Sequence, residues 1–460
     1  MRRWERAIST LFLSVALLLV SGCGGGGGTT PPPPPGSAPM TLFVRDAGAE
    51  KLLAFEIQLT GAALVSGTTE QSILAAPVEL ELKNLQLATM PLSLNNVREG
   101  TYTTLRLTFA NPEATVLTST PTVVKCETGA ACVPTLAAGP LNKTVNITVQ
   151  LNLRSAVIID FDLAASVNVT ENPLAVSVNP AVNVTQVPVQ APQQAEAELE
   201  DVVGTVTAID GANQSFTFRP EGMTATFNIV TNAQTKFEDF DDASPARANA
   251  FASIRVNDLV EVDAEQRADG GFVAEEVELA EAEDDNRVEL EGLITSVDPV
   301  AGTVKIVIRE RRRTTTLQSE LGREITLDVR TANFRINKDD LTIIDTLFDD
   351  LTDAIPGQFV EAELSAGTTV RRLTLKKATY QGRVTGPPAG NNFPFEPDLA
   401  LIVSIVPIQV FTFPGVTEFR DGLTSIGDVQ SAFTVAVRGL LVKQPSGAIE
   451  LYARRVGKVQ

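Results

Sequence analysis

Histidine is absent from all 460 residues. Its absence removes the commonest general base and the commonest transition-metal ligand together. Ser-His-Asp hydrolysis and histidine-ligated zinc or haem are thereby excluded. Tryptophan occurs once, as Trp4, and tyrosine only three times. Sugar-binding surfaces stack rings on these side chains, so their scarcity argues against a carbohydrate module, with Phe the only partial substitute. Cysteine occurs three times. After residue 40 no apolar run is long enough to cross a bilayer as a helix.

What is present begins with Arg2, Arg3 and Arg6, followed by an apolar run from Ala7 to Val20. That run falls short of the roughly 20 residues a membrane-spanning helix needs, and reads as a signal peptide. It ends in Val20-Ser21-Gly22-Cys23, which looks like the bacterial lipobox. The resemblance implies cleavage before Cys23 and lipidation of its thiol. The alternative is ordinary secretory cleavage with an unmodified thiol. Gly24 to Gly28 and Pro31 to Pro35 then form a tether, flexible first and extended next. Because Gly24 follows the cysteine, a sorting analogy from enteric bacteria points to the outer membrane. The expected location is the bacterial cell envelope, lipid-anchored at the outer membrane or facing the periplasm. In an exported chain, Cys126 and Cys132 of "KCETGAACVP" read as a disulfide closing a short loop. Such a link is worth about 2 kcal/mol. A redox or metal pair there would lack the CxxC spacing and partner ligands.

The formal charge of −19 becomes −21 once Met1 to Gly22, with three Arg and one Glu, are removed. A surface so acidic repels nucleic acid and anionic lipid. The expected partners are therefore the membrane, through the N-terminal lipid, and an unknown envelope protein or polymer, with no nucleic acid.

Beyond the signal peptide (1–22) and tether (23–39), strict alternation marks half-buried strands in "PVELELKNLQL", "YTTLRLTFA" and "TVNITVQLNL". Residues 40–189 therefore read as an antiparallel β-sandwich, closed by a polar linker at 190–200. An internal repeat follows. "VVGTVTAID", "LEGLITSVD" and "YQGRVTGPP" set Gly204, Gly292 and Gly382 at spacings of 88 and 90 residues, with Phe237, Phe334 and Phe419 in step. Five or six strands with at most one short helix per unit fit small β-barrels at 201–284, 285–378 and 379–460. The repeated glycine suits a barrel corner where a side chain would collide. The helix is clearest in "DDLTIIDTLFDDLTD", where Ile344, Leu347, Phe348 and Leu351 are helically spaced. In the third unit "PPAGNNFPFEPDLALIVSIVPIQVF" stands in place of the expected hairpin, and Glu-rich linkers suggest limited contact between units. The fold class is all-β: a sandwich followed by three barrel-like repeats.

Residues 40 to 185 resemble the family catalogued as domain of unknown function 4382, through "LFVRDAG", "EGTYTTLRLTF" and "VIIDFDLAASV". Gly48 departs from the Pro usual there. The three repeats are similar to domain of unknown function 5666, the third least so. The resemblance implies exported, often lipid-anchored β modules, and carries no catalytic residue.

Two clusters invite a ligand. Asp239, Asp241 and Asp242 in "FEDFDDAS" offer hard oxygen ligands for Ca²⁺, although the glycine and distal Glu of an EF-hand are missing. A solvated turn is the alternative. Arg309, Arg311, Arg312 and Arg313 in "RERRRTTT" form an anion clamp or a solvated hairpin. Asp160 and Asp162 share one face of a strand, as an acid/base pair or as turn caps. The reading adopted is a non-catalytic, lipid-anchored envelope protein whose β modules act as scaffold or binding domains, with no cofactor. The alternatives are a carboxylate-dependent hydrolase and a calcium- or anion-binding envelope protein.

Overall fold

In the computed structural model the described residues are 36–459, except 48–51, 86–88, 121, 152, 190–197, 222, 244, 268–270, 282–287, 313–320, 339–340, 400 and 403–406. The signal peptide, Cys23, the body of the tether, most of the linker and Arg313 lie outside them.

The N-terminal unit is a sandwich. One sheet orders its strands Val182–Val189, Arg154–Asp162, Ser37–Ala47 and Met90–Arg98. The other is built on the long strands Leu52–Ser66 and Gly100–Leu117, flanked by Thr69–Ser72, Val78–Glu81, Val123–Cys126 and Leu141–Val149. Pairing is antiparallel except between Ser37–Ala47 and Arg154–Asp162, and in the small outlying sheet where Leu174–Val178 meets Thr135–Leu136. Alternation explains the packing: Met40, Leu42, Val44, Val157 and Ile159 face the opposite sheet and fill the sandwich core. Leu151 and Leu153, which continue the alternation past Val149, lie beyond the end of the strand and are exposed. Cys126 and Cys132 are disulfide-bonded, with Cα atoms 4.6 Å apart.

Three barrels follow. The first uses Glu198–Asp210, Ser215–Pro220, Phe227–Val230, Leu259–Gln266 and Phe272–Glu281. The second uses Val288–Asp298, Thr303–Arg312, Glu324–Asp328, Phe359–Ala366 and Thr369–Lys376. The third uses Ala378–Val384, Asn392–Pro397, Ile408–Thr412, Thr434–Lys443 and Ile449–Lys458. In each, the order is third, second, first, fourth, fifth, and a parallel pairing of third with fifth closes the ring. This is the Greek-key connectivity of the five-stranded OB-fold, and closure removes exposed edges. Phe237, Phe334 and Phe419 each sit in a short extra strand, Lys236–Glu238, Asn333–Ile336 and Glu418–Arg420, parallel to the fifth strand. The third unit keeps a hairpin, with Asn392–Pro397 paired antiparallel to Ile408–Thr412.

The repeated glycine is a steric requirement. A Cβ on Gly204, Gly292 or Gly382 would stand 2.5, 2.4 or 2.3 Å from a carbonyl oxygen of the adjacent strand. The short helix, by contrast, does not form: Asp345–Leu347 is a single 3-10 turn, Leu347 and Phe348 are buried, and Ile344 is 65% exposed. Aspartates divert the backbone here. The Asp353 carboxylate accepts from the amides of Asp349 and Asp350, and Asp350 from that of Thr352.

Contact between units is extensive, correcting the expectation drawn from the linkers. Phe43, Ala156 and Ile158 point away from the sandwich core into that of barrel one, where Phe43 meets Phe272 edge-on at 6.4 Å. Leu440 and Val442 of barrel three complete the core of barrel two. Leu53 and Leu117 of the sandwich pack with Leu293 and Val307 of barrel two and Leu401 of barrel three. The sheet carrying Phe43 is buried on both faces, as a purely alternating reading would not suggest.

Replacing Gly292 or Gly382 by Ala is expected to lower stability by about 1–3 kcal/mol through overpacking. Gly211→Ala, whose Cβ would meet nothing within 4 Å, is expected to stay within about 0.5 kcal/mol. Denaturant unfolding of the three variants checks both.

Candidate functional site

Strands with one apolar face put every second residue on the other, and in several strands that residue is glutamate. Val78 and Leu80 are buried on one side of "VELE", while Glu79 and Glu81 take the other. The pattern recurs at Glu261, at Glu289 and Glu291, and at Glu361 and Glu363. Register then sets like charges opposite each other. Glu56 faces Glu81 across the sandwich sheet, Glu261 faces Glu278 in barrel one, and Glu291 faces Glu361 in barrel two. Opposed like charges destabilise a sheet unless cations intervene.

The cations come largely from barrel two. The buried Lys376 Nζ lies 3.1 Å from Glu261, 3.5 Å from Glu291, 3.9 Å from Glu361 and 4.0 Å from Glu278, so one ammonium serves both barrel pairs. Arg309 reaches Glu81 of the sandwich at 3.5 Å and lies over the Phe359 ring at 5.5 Å. Within the sandwich, Lys125 binds Glu113 at 2.8 Å and Glu127 at 3.2 Å and stands 4.0 Å from Glu56. Lys125 also donates to the Leu321 carbonyl, and Thr115 to that of Gly322, docking a loop of barrel two. At Gly322, with φ of +71°, a Cβ would crowd Thr115 Oγ1 at 2.7 Å and Glu56 Oε1 at 2.9 Å. Between these groups a cavity of about 250 Å³ opens, lined by residues of all four units.

Electrostatics follows the burial. Burial pushes the Glu56 carboxyl up to about 8; Lys125 pulls it down, and Glu81, Glu113 and Glu79 push it further up. In barrel three, burial works against ionisation of Glu418, yet Arg455, Arg454 and Arg420 hold its carboxyl down to about 2. Burial raises Glu275 of barrel one, with Glu265 and Glu418 adding to it.

The residues singled out from sequence are placed elsewhere or otherwise engaged. Arg309 is 7% exposed and paired with Glu81 at the hub. Arg311 and Arg312 end the strand Thr303–Arg312, and their side chains, like Asp242's, lie outside the described set. Asp239 is exposed in left-handed backbone (φ +60°) beside a cleft of about 320 Å³ between barrels one and two. Asp241 accepts from the Asn249 side chain at 3.1 Å. Among the described residues, the one grouping of three carboxylates close enough to share an ion is Asp349, Asp350 and Asp353, the turn-forming trio described above. Asp160 pairs with Arg45 at 3.1 Å, and Asp162 caps a single helical turn, Leu163–Ser166, through the Ala165 amide.

Comparison with known proteins adds a family and some distant structural likenesses. The model of Domain of unknown function (DUF5666) matches residues 203–278, which is barrel one. Among curated proteins nothing matches the chain. Among solved structures, the chain is similar to the single-stranded DNA binding protein from Thermus aquaticus, at 12% identity and a TM-score of 0.15, covering 38% of this chain and 93% of that one. It is also similar to the Drosophila Unr CSD456 structure, at 14% identity and a TM-score of 0.13, covering 56% and 97%. A Streptococcus pneumoniae multidomain protein with nucleic acid binding domains is similar at 12% identity and a TM-score of 0.11, covering 56% and 71%. At these scores the likenesses assign no ligand to this chain. They do correct the expectation that nucleic acid is excluded as a partner, because the neighbours include proteins described as binding it. The physical flaw lies in the charge argument: a whole-chain sum does not set the local potential of one barrel face. None of the three is described as a membrane or envelope protein.

Removing the Lys376 ammonium takes a shared cation from four carboxylates at the hub, so Lys376→Met is expected to cost about 3–5 kcal/mol in denaturant unfolding. Glu56 titrates higher folded than unfolded. Its contribution is therefore complete below its ordinary value of 4.5 and lost as pH rises through about 8. Glu56→Gln is expected to remove that loss, on the order of a few kcal/mol, flattening the decline of melting temperature between pH 5 and 9. A decline equally steep in both proteins contradicts the assignment.

Proposed function

We propose that this protein is a non-catalytic scaffold of the bacterial cell envelope, held by a lipid on Cys23 and presenting one rigid four-unit β body beyond a Gly/Pro tether. The observation that carries the scaffold reading is the merging of the units. Their cores are shared across Phe43 and Phe272 and across Leu440 and Val442, and their buried charges are neutralised by one another's cations. A protein that works by moving its domains would keep smaller, more polar interfaces.

The non-catalytic part is supported by the use made of the one carboxylate pair that suggested acid/base chemistry. Asp160 is committed to Arg45 and Asp162 to a helix cap. The envelope location and the anchor rest on the sequence from Arg2 to Pro35, and the lipoprotein assignment is joined by the resemblance of residues 40–185 to domain of unknown function 4382.

Replacing Cys23 with Ser is expected to move the protein from the membrane fraction to the soluble fraction after cell breakage, with its folded body unchanged. Fractionation and intact mass of the N-terminus read this out. Continued tight membrane association of the variant, or an uncut and unacylated start in the parent protein, overturns the anchor.

A further inference from the structure

The chain enters the folded body at one end of the sandwich, and barrels two and three dock at the other. Ser37 pairs with Arg98, Met40 with Ser155, Arg154 with Val189 and Gly100 with Val149, so these positions share the entry end. The strand Gly100–Leu117 runs from there to the opposite end, where Leu53 and Leu117 meet Leu293 and Val307 of barrel two and Leu401 of barrel three. Its 18 residues set the two ends on the order of 50 Å apart along the strand.

At the entry end the Leu153 amide donates to the Gln150 carbonyl at 3.2 Å, closing a turn. Turns favour Gly, Pro, Asn, Asp and Ser, yet this one presents Leu151 and Leu153, 40% and 47% exposed. Single exposed leucines are ordinary on a protein surface. Two in one turn, beside the point where the chain enters, are a local apolar tip. Arg98 and Glu99, exposed in the turn that meets Gly36, are of opposite sign, so that turn adds no net charge beside the leucines. The partner that faces this tip follows from the chain that precedes it. Thirteen residues, from Cys23 to Pro35, join the proposed lipid to Gly36, and fully extended they reach no further than about 45 Å. Such a tether keeps the entry end, rather than the docked barrels, at high effective concentration beside the bilayer.

We propose that the entry end of the sandwich rests on the lipid bilayer, with Leu151 and Leu153 seated at the boundary between headgroups and acyl chains and with barrels two and three held away from it. The inference rests on the lipid anchor proposed above and adds to it the surface of the folded body that the membrane contacts. Apolar side chains at that boundary gain by leaving water, and the anchor removes most of the cost of bringing them there.

Fluorescence of the full-length acylated protein in phosphatidylcholine vesicles tests it. Trp4 is the chain's one tryptophan and leaves with the signal peptide, so the parent protein supplies the blank and Leu153→Trp introduces a single reporter. The expected result is a blue-shifted emission, quenched roughly twofold when the acyl chains carry bromine. Ile344→Trp, at a 65% exposed position of barrel two, is expected to stay red-shifted and unquenched in the same vesicles. Adding Leu151→Asp to Leu153→Trp is expected to remove most of the quenching while the protein stays bound to vesicles. Denaturant unfolding confirms that each variant is folded. An unquenched reporter at position 153 in vesicle-bound protein overturns the contact and leaves the anchor standing. A blue shift without quenching assigns the leucines to a second copy of the chain and overturns the contact likewise. Parent protein that does not bind the vesicles overturns the anchor, and the contact with it.

Discussion

An ammonium group taken out of water has to be met by carboxylates, and carboxylates set opposite each other in a sheet have to be met by cations. In this protein the two requirements are satisfied across unit boundaries. Lys376 belongs to barrel two, yet its closest carboxylate, Glu261, belongs to barrel one. Arg309, also of barrel two, answers Glu81 of the sandwich. The sandwich and barrel one each present opposed acids, and barrel two contributes a cation to each. The middle repeat is therefore the electrostatic keystone.

Apolar packing acts in the same direction. The sheet that carries Phe43 has no solvent face, because its second side forms part of the core of barrel one. Barrel three donates Leu440 and Val442 to barrel two, and in return barrel two gives Phe359 to the core of barrel three. Polar contacts fix the register of that last interface: the Gln358 side chain donates to the Leu441 carbonyl at 3.0 Å, and Tyr380 to that of Gly357 at 2.9 Å. Such interfaces resemble the interior of one domain more than a joint between several. A rigid body of this kind suits a protein that presents or spaces surfaces, and the proposed scaffold role rests on it.

The architecture was largely legible because its signals are local. Alternation of apolar and polar residues marked the strands, and the three glycines reported a backbone approach that only glycine tolerates, at Gly204, Gly292 and Gly382. The expected helix reduces to the turn Asp345–Leu347 among the described residues, because helical spacing of apolar residues says nothing about aspartates that bond neighbouring amides. The hub was not legible in outline, since which units touch is a non-local fact and the linkers suggested separation. One signal was nonetheless there. The motif of valine followed by glutamate recurs at Val78-Glu79, Val260-Glu261, Val288-Glu289 and Val360-Glu361. Acids repeated on one face of strands whose other face is apolar point to a shared charged interior as readily as to solvent. Of the arginine run, Arg309 alternates inward to Glu81, a placement that counting charges along the sequence does not give.

Interlocking of the units is the claim on which the functional reading turns, and calorimetric unfolding of the full-length protein measures it most directly. A body whose buried charges and cores are shared predicts a single transition, with the calorimetric enthalpy equal to the van't Hoff enthalpy. Three or four separable transitions would show that sandwich and barrels unfold independently, and would contradict the role assigned to Lys376 and Arg309.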